Sequence, residues 1–191
     1  MRSYAMVSPA FWTGPTGMEI RAAGKDPLIV SFYLMTCPSA NMIGLYYLPL
    51  PTLSFETSIP SHGASKALQI LSDLSFSHYD TASAHIWVPE MARFQIAESL
   101  KPRDKRVTAV IRELIQAKSC RFIRDFHYKY GSRFSLPSLE AMGILISPHE
   151  GALEGPRCQE QEQEQEQEQK SSVSSSVPED TSPQFLLPGN A

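Results

Sequence analysis

Residues 61–74 read Ser61-His62-Gly63-Ala64-Ser65-Lys66-Ala67-Leu68-Gln69-Ile70-Leu71-Ser72-Asp73-Leu74. Ala64, Ala67, Leu68, Leu71 and Leu74 recur at i, i+3, i+4, i+7 and i+10, which is one face of an α-helix. Ser65, Lys66, Gln69 and Asp73 fall on the outer face. Pro60 precedes this stretch, and Ser61 stands where a capping hydroxyl belongs. Immediately downstream, residues 76–80 and 84–88 are two strand-like runs joined by Thr81-Ala82-Ser83. Ala84, Ile86 and Val88 alternate with His85 and Trp87, the pattern of a strand buried on one face. The pair predicts a hairpin, although its turn has neither Asn-Gly nor Asp-Gly.

Working outward toward the N-terminus, residues 51–57 predict a short helix and residues 41–48, rich in Ile, Leu and Tyr, a strand. Asp26-Pro27 predicts a helix start, a capping carboxylate followed by proline at the first helical position. Residues 28–35 then place apolar groups around the whole circumference, as in the central helix of a small bundle, and Cys37-Pro38 ends it. Toward the C-terminus, residues 90–100 predict a helix with Met91, Phe94 and Ala97 on one face. Asp104 caps a strong amphipathic helix carrying Val107, Val110, Ile111, Leu114 and Ile115. Residues 120–130 continue in helical period, and Gly131 closes them. The order helix, strand, short helix, turn, amphipathic helix, hairpin is the winged helix-turn-helix plan: mainly α with a small β-hairpin. In that plan the second helix of the pair protrudes far enough to enter a DNA major groove.

Charge divides the chain of 191 residues. Residues 1–135 hold 15 Lys/Arg against 10 Asp/Glu, or +5, whereas residues 136–191 hold 2 against 10, or −8. A basic body at residues 1–136 and an acidic tail at 137–191 are expected, the tail disordered because it offers little apolar surface to repay its ordering entropy. Within it, Gln and Glu alternate over 159–169 and a Ser/Pro-rich stretch spans 171–183. Gln184-Phe185-Leu186-Leu187-Pro188 is an apolar island that loosely resembles peptides binding sliding clamps. Its acidity gives the tail a second option, folding back on the basic helices in competition with DNA. No apolar run approaches the ~20 residues of a membrane span, and Pro9, Trp12 and Pro15 interrupt any leader-like core. Three widely spaced cysteines, Cys37, Cys120 and Cys158, suggest neither a disulfide framework nor a zinc site, and hence a reduced, cytoplasmic setting.

Several short matches occur in fixed order. They are Phe11-Trp12-Thr13-Gly14-Pro15, Tyr33-Leu34-Met35-Thr36, Asn41-Met42-Ile43-Gly44-Leu45 and Glu56-Thr57. Gly63-Ala64-Ser65-Lys66-Ala67-Leu68, Met91-Ala92-Arg93-Phe94-Gln95-Ile96, Leu100-Lys101-Pro102 and Asp104-Lys105-Arg106-Val107 follow. Together they resemble the N-terminal winged-helix domain of phage and prophage replication-initiator-like proteins, over about residues 4–136. The resemblance implies duplex-DNA binding in a phage replication or gene-control setting within a bacterial cytoplasm. A replicative helicase, helicase loader or sliding clamp is then the partner expected for the tail. The alternatives are a phage transcriptional regulator and a winged-helix module that binds protein. Two departures stand out: Lys66 is the lone cation on the reading helix, and the 81–83 tip has none.

The candidate DNA contacts form two groups. Ser61, Ser65, Lys66 and Gln69 sit on the reading helix, where Gln reads adenine and Lys reads guanine. Lys101, Arg103, Lys105, Arg106 and Arg112 open the segment 101–133, which holds ten of the 17 basic side chains against Asp104, Glu113 and Asp125, a net +7. Such one-signed charge supplies salt-dependent phosphate affinity. Phe11, Trp12, Trp87 and Phe94 are read as core aromatics first and base-stacking groups second. The five histidines lack metal-ligand spacing, although His78 and His85 are placed to face each other across the hairpin. No Walker loop, nucleophile–base set or nuclease-like carboxylate pair stands out, so the chain reads as a non-enzyme without cofactor or metal.

Overall fold

The computed structural model describes residues 5–144. The 159–169 repeat, the Ser/Pro-rich stretch and the 184–188 island lie outside them. A 3-10 turn, Pro9–Phe11, leads into α1 (Pro15–Ala22), α2 (Lys25–Thr36), β1 (Leu45–Tyr47), α3 (Leu50–Thr57) and α4 (Ser61–Asp73). The hairpin β2 (His78–Asp80) and β3 (His85–Trp87) follows, then α5 (Met91–Gln95), α6 (Lys105–Gln116) and α7 (Ile123–Tyr130). The described residues are thus mainly helical, with one three-stranded antiparallel sheet in the order β1-β3-β2.

Register explains the layering. Leu45, Trp87 and His78 line up across the strands, as do Tyr46, Ile86 and Tyr79. Successive side chains alternate faces, so these two rows point to opposite sides of the sheet. Tyr46 and Ile86 join α2, α3 and α4 in one core with Leu34, Leu53, Ala64, Leu68 and Leu71. Leu45 and Trp87 join α6 and α7 in a second core with Val107, Val110, Leu114, Phe122, Phe126 and Tyr130. The sheet is therefore the middle of three layers. The Tyr46 hydroxyl pins it to α2 by donating to the Leu34 carbonyl at 2.6 Å. The Tyr130 hydroxyl ties α7 to the strand exit through the Pro89 carbonyl at 2.7 Å.

This second cover corrects the expectation of a sheet buried on one face. Trp87 is 5% exposed and Ile86 fully buried, because the Phe122 ring stacks on the Trp87 indole at 6.1 Å. The C-terminal side also extends past residue 136, with Leu139 and Ile144 buried in the same core.

Local differences have local causes. Strand β1 starts only at Leu45 because the Asn41 side chain engages both the N–H and the carbonyl of that residue. Helix α2 opens at Lys25 after Gly24, whose φ of 117° only glycine adopts readily, so Asp26 lies in the first turn and is not the cap. Ser61 is likewise the first helical residue of α4, behind Pro60, and makes no cap. Its hydroxyl lies 3.3 Å from Ser54 Oγ. Helix α5 ends at Gln95, short of the expected residue 100, and Phe94 is 62% exposed, not buried. Helix α1 was not expected; its sequence signal is Pro15 at the first turn after Gly14.

Candidate nucleic-acid interface

Helix α4 buries Ala64, Ala67, Leu68 and Leu71. Two alanines on that side let α4 lie close against α2. At 100° per residue, His62, Ser65, Lys66, Gln69 and Asp73 fall within an arc of about 100° on the opposite side. All five are exposed. His62 is the member that sequence reading missed; its signal is the i, i+4, i+7 spacing with Lys66 and Gln69. The Gln69 amide donates to Asp73 Oδ1 at 2.9 Å, so base reading by Gln69 requires that bond to open. Lys66 has no ion-pair partner among the described residues.

The hairpin tip is held by a carboxylate. Asp80 accepts the Ala82 N–H at 3.3 Å and the Ser83 hydroxyl, and Arg121 Nε approaches it at 3.9 Å. Burial pushes the Asp80 pKa up, but these three donors outweigh it and hold the carboxyl below the ordinary value. The tip therefore presents no cation and a fixed negative charge behind it. His78 does not meet His85: the register sets His78 opposite Trp87 and Asp80 opposite His85.

The basic segment is built onto the other face of the sheet. Asp104 caps α6 by accepting the Arg106 N–H at 2.9 Å. The Arg106 guanidinium folds back on the same carboxylate at 2.7 Å and donates to the Ile96 carbonyl at 2.9 Å. These bonds, the side chain's foremost, hold the Asp104 carboxyl down at about 2. Arg106 is thus a clamp on the helix start. Arg121 is engaged by Asp80 and the Phe122 ring, and Lys129 by Glu90. Lys101, Arg103, Lys105 and Arg112 are exposed with no ion-pair partner among the described residues, and so are Lys118 and Arg133.

Lys105 and Arg112 share the outward stripe of α6, since Val107, Val110 and Leu114 occupy the buried side. The Leu100 N–H donates to the Arg133 carbonyl at 2.8 Å, bringing Lys101 and Arg133 to the same end of that helix. The structure therefore brings Ser65, Lys66 and Gln69 onto one stripe and Lys105 and Arg112 onto another in a different layer, while Ser61 bonds Ser54 and Arg106 is held by Asp104. Among the aromatics read as core, Trp87 is buried and Phe11 half-buried against Phe32 at 4.8 Å, whereas Trp12 is 46% exposed because, among the described residues, it meets only the Phe11 and Phe32 rings, the latter at 5.3 Å. Tyr128 on α7 (94% exposed) and Phe55 on α3 (87%) are surface aromatics that the sequence reading did not single out.

Comparisons with protein-family models, curated proteins and solved structures find no match for this chain. Among the described residues no helix is long and apolar enough to cross a membrane.

Proposed function

We propose that this chain is a duplex-DNA-binding protein whose winged helix-turn-helix domain acts in phage or prophage replication initiation. The observation that carries the reading is the uncovered polar stripe of α4, held on a helix–strand–helix–helix–hairpin frame. A helix presented in this way fits a major groove, where Lys66 suits guanine and Gln69 adenine. The C-terminal cations attract duplex phosphates without regard to sequence. The replication role rests on the resemblance of residues 4–136 to replication-initiator-like domains. In that role the chain binds DNA without doing chemistry and hands it to a helicase, a helicase loader or a sliding clamp through the 137–191 tail. The setting is the host cytoplasm, in keeping with two buried free thiols, Cys37 and Cys120; burial holds the latter up at about 11.

The test is binding of the full-length chain to duplexes from its own genomic surroundings. Lys66→Ala with Gln69→Ala is expected to lower affinity and flatten sequence preference while leaving the thermal midpoint in place. Unchanged binding rejects the α4 face. A protein-binding winged helix is the second reading, favoured by the Asp80 tip and by residues 1–100, which hold 5 Lys/Arg against 7 Asp/Glu, or −2. It requires duplex affinity that is negligible even at low salt. A transcriptional regulator would instead protect a promoter-proximal palindrome.

A further inference from the structure

We propose that the C-terminal layer is a second phosphate-binding surface, built on Lys101, Lys105, Arg112 and Arg133, so that one chain holds a second duplex segment beside the one read by α4. The inference rests on the α4 reading for its first segment only.

The charge sits where the reading helix does not. Residues 1–100 are net −2 and residues 101–133 net +7. The α4 stripe offers one unpaired cation among the described residues, Lys66, and carries Asp73 at its far end, so most of the phosphate-attracting charge lies elsewhere. On α6, Lys105 and Arg112 stand about 10 Å apart along the helix axis, the rise of seven residues. Strand phosphates advance about 3.4 Å each along a duplex, so the pair spans about three of them. Lys101, whose carbonyl accepts the Asp104 N–H at 2.9 Å, and Arg133, whose carbonyl accepts the Leu100 N–H at 2.8 Å, add two exposed cations near the start of α6.

The neighbouring carboxylates do not oppose this surface. Asp104 is closed by Arg106, and Glu113 is half-buried against the Asn41 amide at 3.2 Å. The sheet lies between the layers. The inner side of α6 goes to the core containing Trp87, and that of α4 to the core containing Ile86. The two outward stripes therefore leave the molecule from different layers, and a straight duplex seated along one is not seated along the other. Lys105 and Arg112 are long cations, and the amide on their stripe, Gln116, lies beyond them at the helix end, which suits backbone binding of any sequence.

The experiment uses the full-length chain at about 50 mM salt, where phosphate contacts count most. One duplex is immobilised on beads, a second, fluorescent duplex is in solution, and the mass of the complexes is measured in parallel. Three proteins are compared: wild type, His62→Ala/Lys66→Ala/Gln69→Ala and Lys101→Ala/Lys105→Ala/Arg112→Ala. All six side chains are exposed, so far-UV circular dichroism should be the same for all three.

Wild type is expected to retain the fluorescent duplex as a complex of one chain with two duplexes. The α6 variant is expected to stay on the beads yet lose retention by about tenfold or more, and the charge-conserving variant K101R/R112K should keep it. The inference is overturned if the α6 variant retains the second duplex in full, if retention comes only from paired chains holding one duplex each, or if the α6 cations prove to bind acidic protein and leave DNA retention and salt dependence unchanged. It is also overturned if wild type holds a single duplex against both faces, seen as no retention with affinity lost in both variants. Failure of the α4 reading looks different: the α4 variant then binds and selects DNA as wild type does, while the α6 variant still loses its salt-dependent binding.

Discussion

Helices α4 and α6 are built alike and do different work. Each is amphipathic, 13 and 12 residues long, and each lays its apolar side toward the same three-stranded sheet from a different layer. Their outer sides diverge. Helix α4 presents His62, Ser65, Lys66 and Gln69, groups that hydrogen-bond in defined directions. Helix α6 presents Lys105 and Arg112 between further cations, groups that attract phosphate from any direction. Direction gives selectivity and charge gives affinity. Separating them onto two layers makes the sheet, above all Trp87 and Ile86, the part that couples one to the other.

The sharpest way to break that coupling is to remove one row of the sheet. Trp87→Ala deletes the indole that stacks on Phe122 and should cost about 3–5 kcal/mol. Ile86→Ala, on the opposite face, should cost about 2–5 kcal/mol. The chain has two tryptophans, so Trp87→Ala leaves Trp12 as a reporter of the N-terminal layer. Denaturation followed by Trp12 fluorescence and by circular dichroism should give coincident transitions if the layers unfold together. Separated transitions would show that the C-terminal layer melts alone.

Gly44→Ala strikes the same joint from the backbone. Gly44 has φ +71°, and an added Cβ would lie 2.7 Å from both the Met91 Cβ and the Val88 carbonyl. That carbonyl cannot retreat easily, because the Val88 N–H donates to Gly44 at 2.8 Å. The expected loss is about 2–3 kcal/mol by denaturant titration. A loss under ~0.5 kcal/mol would mean that the loop adjusts freely.

Much of this arrangement was legible in the residues, for a physical reason. Periodicity is a local signal, and Ala64-Ala67-Leu68-Leu71 and Val107-Val110-Leu114 state their helices without help from the rest of the chain. The hairpin and the Asp104 cap were legible on the same terms. What escaped was set by distant partners. Trp87 reads as a core aromatic and is one, but the layer that buries it, on the face opposite Ile86, is set by Phe122, 35 positions on. Phe94 looked like a buried position of a longer helix, but the chain leaves α5 after Gln95 and reaches Leu100 to bond Arg133. Arg106 looked like one more phosphate contact, although Asp104 two residues earlier is its partner. Charge counting locates the basic segment in the sequence but not the layer it occupies.

The division of labour also predicts two different salt responses. Lys105→Ala with Arg112→Ala removes two phosphate contacts and should reduce the slope of log affinity against log salt by about 1.8. Between 50 and 200 mM salt that corresponds to roughly a tenfold difference in the affinity lost. Lys66→Ala with Gln69→Ala should change the slope by about one contact at most and act instead on the ratio between preferred and random duplexes. Equal slopes for the two double variants would place the affinity surface elsewhere.

The smallest effect concerns pH and the seam between the layers. His78 lies on the row of the sheet that faces α7, with its ring 5.7 Å from Trp87 and 6.2 Å from Phe122. Burial lowers its pKa, assisted by Arg121 and Lys129; Asp125 acts in the opposite direction without overcoming it. The folded protein thus takes up this proton less readily than the unfolded chain, whose histidine titrates near ~6.5. Stability from this site is complete above that value and declines as pH falls from ~6.5 toward the depressed folded pKa. Asp125 has its own pKa raised by burial, and its contribution has the opposite sign: it is lost as pH rises past the unfolded carboxylate value of ~3.9. His78→Gln should lessen the loss of stability as pH falls below the unfolded histidine value of ~6.5 and leave the profile above that value unchanged. A profile that keeps its slope near pH 6 in the variant would move the titrating group away from the seam.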